Sequence, residues 1–216
     1  EIPLRLVGSE MCIRDRSALD ARVRVELRYE LRRLVKKLGI TVLHITHDQE
    51  EAMSVSDRIV LMRYGSVAEV GTPLELYRHP RSVFAANFVG ETNLLECTVS
   101  EKGKNGKTRV KLRGGQEVRT SKTDFNVGDP VVISVRPEHV YTANDGLRAE
   151  VRSVVFMGTY WRVRTMAESR DFVDFNVSAD EDVPEEGDVV YLVFNKKAVV
   201  VFERPSGGIE EEIKLE

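Results

Sequence analysis

The sequence predicts an α/β segment, residues 17–90, followed by an all-β domain, residues 91–205. Three observations predict it. Apolar residues recur at helical spacing between Asp20 and Leu38. A short apolar run rich in β-branched residues, Ile40 to Ile45, follows directly. After Gly90 the chain breaks into short alternating or apolar runs punctuated by Asn105-Gly106, Gly114-Gly115, Gly128-Asp129 and Gly187-Asp188.

The first helix is expected over Asp20 to Leu38, with Val23, Leu27, Leu31, Leu34, Val35 and Leu38 on its apolar face. Asp20 can cap it by accepting backbone N–H bonds, and Gly39 can adopt the left-handed stop. Its Arg, Lys and Glu face reads as solvated. ITVLHI, residues 40–45, is expected to form a buried strand. Asp48 and Glu51 stand at capping-box-like spacing before a short helix. RIVLMRYGSVAEVG predicts a hairpin turning at Tyr64-Gly65-Ser66. In TPLELYRHP, Thr72 caps, Pro73 takes the first helical position, Glu75 closes a capping box and Pro80 stops the helix. SVFAANFVG predicts a small apolar helix ending at Gly90.

Nine strand-like runs follow, from LLECTVS to AVVVFE, spaced as in a small barrel or sandwich. Gly146 and Gly158 are read as bends or bulges. Tyr160, Trp161, Phe172 and Phe175 read as barrel core, and Cys97 as a small apolar filler. No strict internal repeat is visible, and the length accommodates two similar small barrels. Residues 206–216 read as an acidic, mobile tail.

Composition sets limits on function. The chain has 216 residues, 42% hydrophobic and 31% charged, with a net charge of −3, which fits a globular protein and argues against general nucleic-acid binding. No apolar run reaches the ~20 residues of a membrane helix. The amino terminus lacks the layout of a secretion signal, and two cysteines are too few for a disulfide framework, so a reducing cytoplasm is expected. His44 and His47 are three apart with no carboxylate or cysteine cluster to complete a metal site.

Two signatures carry chemistry: SALD, Ser17 to Asp20, and ITHDQEEAM, Ile45 to Met53. Separated by one amphipathic helix and one apolar strand, they resemble the ATPase subunits of ABC importers. SALD resembles the D-loop and THDQEEA the switch-histidine segment. TPLELYRHPRSVFAANFVGETNLL is similar to the passage out of the ATPase domain, and VISVRPEHV, Val132 to Val140, to the recurring stretch of an OB-like accessory domain called TOBE. The fold class expected is then an α/β remnant of a P-loop ABC ATPase domain followed by an all-β OB-like (TOBE) domain.

The resemblance implies that His47 is catalytic and hydrogen-bonds the γ-phosphate of ATP, since phosphoryl transfer is catalysed chiefly by positioning and electrostatics. Ser17, Ala18, Leu19 and Asp20 would lie at the interface of two ATPase subunits, with Asp48 and Gln49 in support. It implies ATP and Mg as cofactors, no dedicated metal site in this chain, a homodimer docked on two membrane permease subunits, an external solute-binding protein as indirect partner, no nucleic acid, and a place on the cytoplasmic face of the membrane.

The sequence also departs from the family. No GxxxxGK[ST] phosphate loop, LSGGQ-like signature or Gln-loop occurs in it. Where the family has Asp-Glu-Pro-Leu before the D-loop, the chain has Ile13-Arg14-Asp15-Arg16, so Arg14 stands with the wrong charge at the catalytic Glu position. Leu6 to Asp15 reads as one translated frame of a transposase sequencing adapter, and residues 1–16 are accordingly expected to be artefactual, with native sequence from Ser17. The fragment is expected not to bind or hydrolyse ATP unaided. Two rival readings are a standalone OB-like small-molecule-binding regulatory module and an inactive partner that caps a full ATPase.

Overall fold

The computed structural model describes residues 21–103, 108–120 and 123–214. They fall into two units. One runs through Ile59 and includes Gly71–Pro73; the other holds Val60–Val70 and the chain from Leu74 onward.

In the first unit, helix α1 spans Ala21–Leu38 and helix α2 Gln49–Val55. Gly39 ends α1 at φ 64°, its N–H donating to Val35 O at 3.1 Å, while Lys36 and Lys37 face the carbonyl end of the helix dipole. The segment expected as a buried strand does not form one. Residues 40–46 pair with no strand among the described residues, and Leu43 and Ile45 are 87% and 88% exposed. A strand needs a ladder partner to satisfy its backbone, and neither α1 nor α2 can supply one.

The second unit opens with most of a hairpin of β1, Ile59–Arg63, and β2, Ser66–Gly71, whose end residues Ile59 and Gly71 fall in the first. Tyr64 and Gly65 both take positive φ, 47° and 74°, as a two-residue primed turn requires. Helix α3, Pro73–Arg78, and helix α4, Val83–Phe88, follow, the latter capped by Ser82 Oγ accepting from Ala85 N–H at 3.1 Å.

Ten more strands make two five-stranded antiparallel sheets: β3 (Asn93–Lys102), β4 (Thr108–Leu112), β5 (Glu117–Thr120), β6 (Pro130–Val135), β7 (Val140–Ala143), β8 (Leu147–Phe156), β9 (Tyr160–Ala167), β10 (Phe172–Ser178), β11 (Val189–Phe194) and β12 (Val200–Glu203). Sequence reading finds all of these but β7, whose residues beyond Val140 face solvent. The first sheet is ordered β12-β6-β3-β4-β5 and the second β7-β11-β8-β9-β10. Their inner faces share one apolar core, with Leu95, Val110 and Ile133 from the first meeting Val151, Val163, Phe175 and Leu192 from the second. Cys97 lies in it, burial pushing its thiol up to about 12, as suits an inert apolar filler.

The sheets repeat one plan that the sequence conceals. Each centres on a ten-residue strand with a bulge, between Val99 and Glu101 in β3 and between Val151 and Ser153 in β8. A Gly-Asp turn grips that bulge. Gly128 N–H donates to Val99 O and Val99 N–H to Asp129 O; Gly187 N–H donates to Val151 O and Val151 N–H to Asp188 O, all at 2.9–3.0 Å. Each aspartate also accepts from the backbone N–H three residues before it, Asp129 from Asn126 and Asp188 from Glu185. The fifth strand of each sheet is exchanged. β7, which follows β6, joins the second sheet, and β12, which follows β11, joins the first.

β6 is buried on both faces, which explains its unbroken PVVISV run. Val131, Ile133 and Val135 face the shared core, while Val132 packs outward against Val83, Ala86 and Phe202. The composition shift at Gly90 is therefore not where packing divides, because α4 covers the first sheet. The acidic tail also departs from expectation. Helix α5, Gly208–Glu212, lays Ile209 and Ile213 on that same outer cluster, and Glu212 Oε1 accepts from Arg63 Nη1 at 2.8 Å. Two isoleucines at helical spacing give this polar segment an apolar side to bury.

Two polar side chains join the parts. Asn93 starts β3 and is buried; its Nδ2 donates to Asp174 O at 2.8 Å and its Oδ1 accepts from Asp174 N–H at 2.7 Å. Arg136, 4% exposed, donates to Ala86 O, Gly90 O, Glu91 O and Tyr77 O and stacks 4.4 Å from the Tyr77 ring centroid.

Candidate functional site

The site expected at THDQEEA is built from the bend before α2. Asp48 is the N-cap: its Oδ1 accepts from Glu51 N–H at 2.9 Å and its carbonyl from Ala52 N–H at 3.0 Å. Thr46 Oγ1 accepts from Asp48 N–H at 3.0 Å and donates to Glu51 Oε2 at 2.7 Å. His44 Nε2 stands 3.2 Å from the same Glu51 oxygen, within ion-pair distance but not aligned as a hydrogen bond. Glu51 therefore holds Thr46 upstream of it while its own backbone is held by the cap. Between the fixed Thr46 and Asp48, His47 sits in the bend and is exposed, as is Gln49, the first residue of α2.

Helix α1 supports this bend from the side. Arg28 Nη2 donates to Asp48 Oδ2 at 2.5 Å and Nη1 to Glu50 Oε2 at 3.3 Å. One turn on, Arg32 Nη1 donates to Val55 O at 2.6 Å and Nη2 to Asp57 Oδ1 at 3.4 Å, and one turn further Lys36 Nζ donates to Asp57 Oδ2 at 2.7 Å. The basic face of α1, expected to be solvated, is thus a stripe of cations at every fourth residue that grips α2 at both ends. Arg28 is the most enclosed of them, its side chain 14% exposed. The signal was present in the sequence as cations at 28, 32 and 36 and acids at 48, 50 and 57, but spacing alone does not pair them.

The cap carries a pH dependence. The Glu51 N–H bond to Asp48, and next the Arg28 charge, hold its carboxyl below the ordinary aspartate value of 3.8 despite some opposing desolvation. A depressed carboxylate contributes stability that is present above the unfolded value and is lost as pH falls through the folded one. Protection of the α2 amides against hydrogen exchange is therefore expected to hold at neutral pH and to fade below about pH 4. Asp48→Asn keeps a capping oxygen, removes the titration and should flatten that dependence. Asp48→Ala should cost about 1 kcal/mol of α2 stability at neutral pH. Protection that falls equally in wild type and Asp48→Asn would contradict the assignment.

Of the other residues singled out by sequence, Ser17, Ala18, Leu19 and Asp20 lie outside the described residues, as do residues 1–16. Among the described residues no group of three or more His, Cys, Asp or Glu side chains could hold a metal ion. No helix among them is long and apolar enough to cross a membrane.

Comparison with known proteins gives this geometry its context. Residues 133–202 match the model of the TOBE domain. The Fe(3+) ions import ATP-binding protein FbpC 2 of Rhizobium meliloti (strain 1021) is 38% identical over 183 residues, covering 76% of this chain and 45% of that protein. The spermidine/putrescine import ATP-binding protein PotA of Mesorhizobium japonicum is 40% identical over 156 residues, covering 71% and 43%. The Fe(3+) ions import ATP-binding protein FbpC of Fusobacterium nucleatum is 36% identical over 192 residues, covering 86% and 50%. The chain thus spans about half the length of these curated relatives, or less. A solved structure of the cytoplasmic molybdate-binding protein ModG matches 51% of this chain and 95% of that chain at a TM-score of 0.47 and 17% identity. The chain carries an OB-like TOBE domain and is homologous, over most of its length, to the ATP-binding subunits of ABC importers.

Proposed function

We propose that this chain is the carboxy-terminal part of an ATP-hydrolysing subunit that powers a binding-protein-dependent importer of a small solute. Residues 17–90 would close the ATPase domain and residues 91–205 form the TOBE domain. The observation that carries the reading is His47: it is exposed in a bend whose neighbours on either side, Thr46 and Asp48, are both fixed. An imidazole held there can donate to a terminal phosphoryl oxygen and orient it without being drawn into the fold. ATP would be cradled, and its magnesium held, by residues not found in this sequence. Ser17 to Asp20 would meet the second subunit of a homodimer. The dimer would sit on the cytoplasmic face of the membrane against two permease subunits, served by an external solute-binding protein. Relatives named for ferric ion and for polyamines match this chain over comparable lengths, and we assign the choice of cargo to the binding protein and permeases.

The test is ATP hydrolysis by the full-length subunit that carries this sequence, assembled with its membrane partners. His47→Ala should lower kcat on the order of 10²- to 10³-fold, as loss of one donor to a developing charge does elsewhere. An unchanged rate would overturn the assignment and favour the OB-like regulatory module instead.

A further inference from the structure

We infer that Arg28 is a positioning residue for His47, joining the switch bend to the helix that follows Ser17–Asp20. The inference rests on the reading of His47 proposed above. Arg28 lies about two turns into α1. Its guanidinium forks between two carboxylates, Asp48 directly after His47 and Glu50 two residues further on, and its side chain is largely enclosed. Asp48 in turn fixes the backbone of the bend through the Glu51 N–H bond. Arg32 and Lys36 tie the far end of α2 and Asp57 to the same face of α1.

Two helices pinned at both ends of the shorter one move together. A displacement entering α1 at its first turn is delivered to His47, and a change at His47 is returned to the segment preceding α1. Arg28 does this without touching nucleotide. Lysine is no substitute, because one ammonium cannot serve two carboxylates in a planar fork.

The experiment uses the full-length subunit in its assembled transporter and measures ATP hydrolysis against ATP concentration for Arg28→Ala, Arg28→Lys, Asp48→Asn, the Arg28→Ala/Asp48→Asn double variant and Arg33→Ala. Arg33 pairs only with Glu30 on its own helix among the described residues and serves as control. Each of Arg28→Ala and Asp48→Asn should lower kcat on the order of 10-fold with KM nearly unchanged, since a small misplacement of a reacting group costs that much or more. Asp48→Asn keeps the cap, so its loss reports on the link to Arg28 rather than on unfolding of α2. The double variant should be no slower than either single one, because both remove the same interaction. Arg28→Lys should fail to restore the rate, and Arg33→Ala should leave it unchanged. A wild-type kcat in Arg28→Ala, or losses that multiply in the double variant, would overturn the inference while leaving His47 in place. A wild-type rate in His47→Ala would instead remove the reading on which it rests.

Discussion

Replacing Arg136 with Met is expected to destabilise the β domain by roughly 3–5 kcal/mol, the cost of breaking a buried charged network from one side. Arg136 is enclosed, and burial pulls its pKa below the ordinary arginine value. No carboxylate among the described residues lies within ion-pair distance of it, although the Glu138 charge nearby favours its charged form; its guanidinium is met by four backbone carbonyls and the face of Tyr77. Those carbonyls belong to α3, to α4 and to the turn into β3, so one side chain gathers three pieces of chain onto the end of β6. Removing it strands Ala86 O, Gly90 O and Glu91 O without their donor. The Tyr77 ring also loses its cover, though its hydroxyl, pushed up to about 12 by burial and by Glu138, keeps its bond to that carboxylate. Arg136→Lys should recover less than half of the loss, since a single ammonium cannot reach both Tyr77 O and the α4 carbonyls. Urea denaturation followed by the fluorescence of Trp161 reads this directly, because the chain has a single tryptophan and it lies in β9. A change of less than about 1 kcal/mol in Arg136→Met would show that water satisfies the carbonyls in its place.

Asn93→Leu should cost roughly 2–4 kcal/mol, because two hydrogen bonds between its amide and a backbone are lost inside the fold. β10 is the edge of the second sheet, and Asp174 turns its N–H and C=O away from β9 toward Asn93. The asparagine amide, one donor and one acceptor on a planar group, stands in for the backbone of a neighbouring strand. It also donates to Val135 O at 3.2 Å and so ties β10 to the first sheet. Asn93→Asp should be at least as damaging, since a carboxylate has no donor for the two carbonyl oxygens it would face. With the amide gone, the Asp174 N–H and C=O on the β10 edge lose their partner and can pair with another chain. The expected signature is a lower denaturation midpoint together with concentration-dependent sedimentation. A monomeric variant of unchanged midpoint would refute the edge-capping role.

These two residues show what the sequence could and could not disclose. Helix α1, the Tyr64-Gly65 turn, the Ser82-capped helix and nine of the ten later strands were legible, because period, capping chemistry and turn residues are local properties. Arg136 and Asn93 were not. Each acts on backbone groups tens of positions away, and a lone Arg before Pro or Asn before Leu looks like any strand end. The Ile40 to Ile45 run was legible as apolar but not as lacking strand structure, since strand formation is decided by a partner rather than by composition. At the candidate site, THDQEEA disclosed the Asp48 cap and placed His47 in the bend before it. Arg28 stayed hidden because an arginine on an amphipathic helix is ordinarily solvated, and its partner lies twenty positions on. The twofold plan of the sheets escaped notice because it is written in a bulge and a Gly-Asp turn rather than in repeated side chains.

The exchanged strands bear on how the molecule is made. A ribosome works from Asn93 toward Glu203, and the first half of the β domain leaves the exit tunnel with its own fifth strand, β7, committed to the other sheet. The first sheet waits for β12, the last of the described strands in chain order; the second waits for β11 to seat between β8 and β7. Neither half can finish while the other is still being translated. Assembly of this domain is therefore deferred until β12 has been made, and a messenger cut short before the codon for Val189 leaves two open sheets for the cell's proteases.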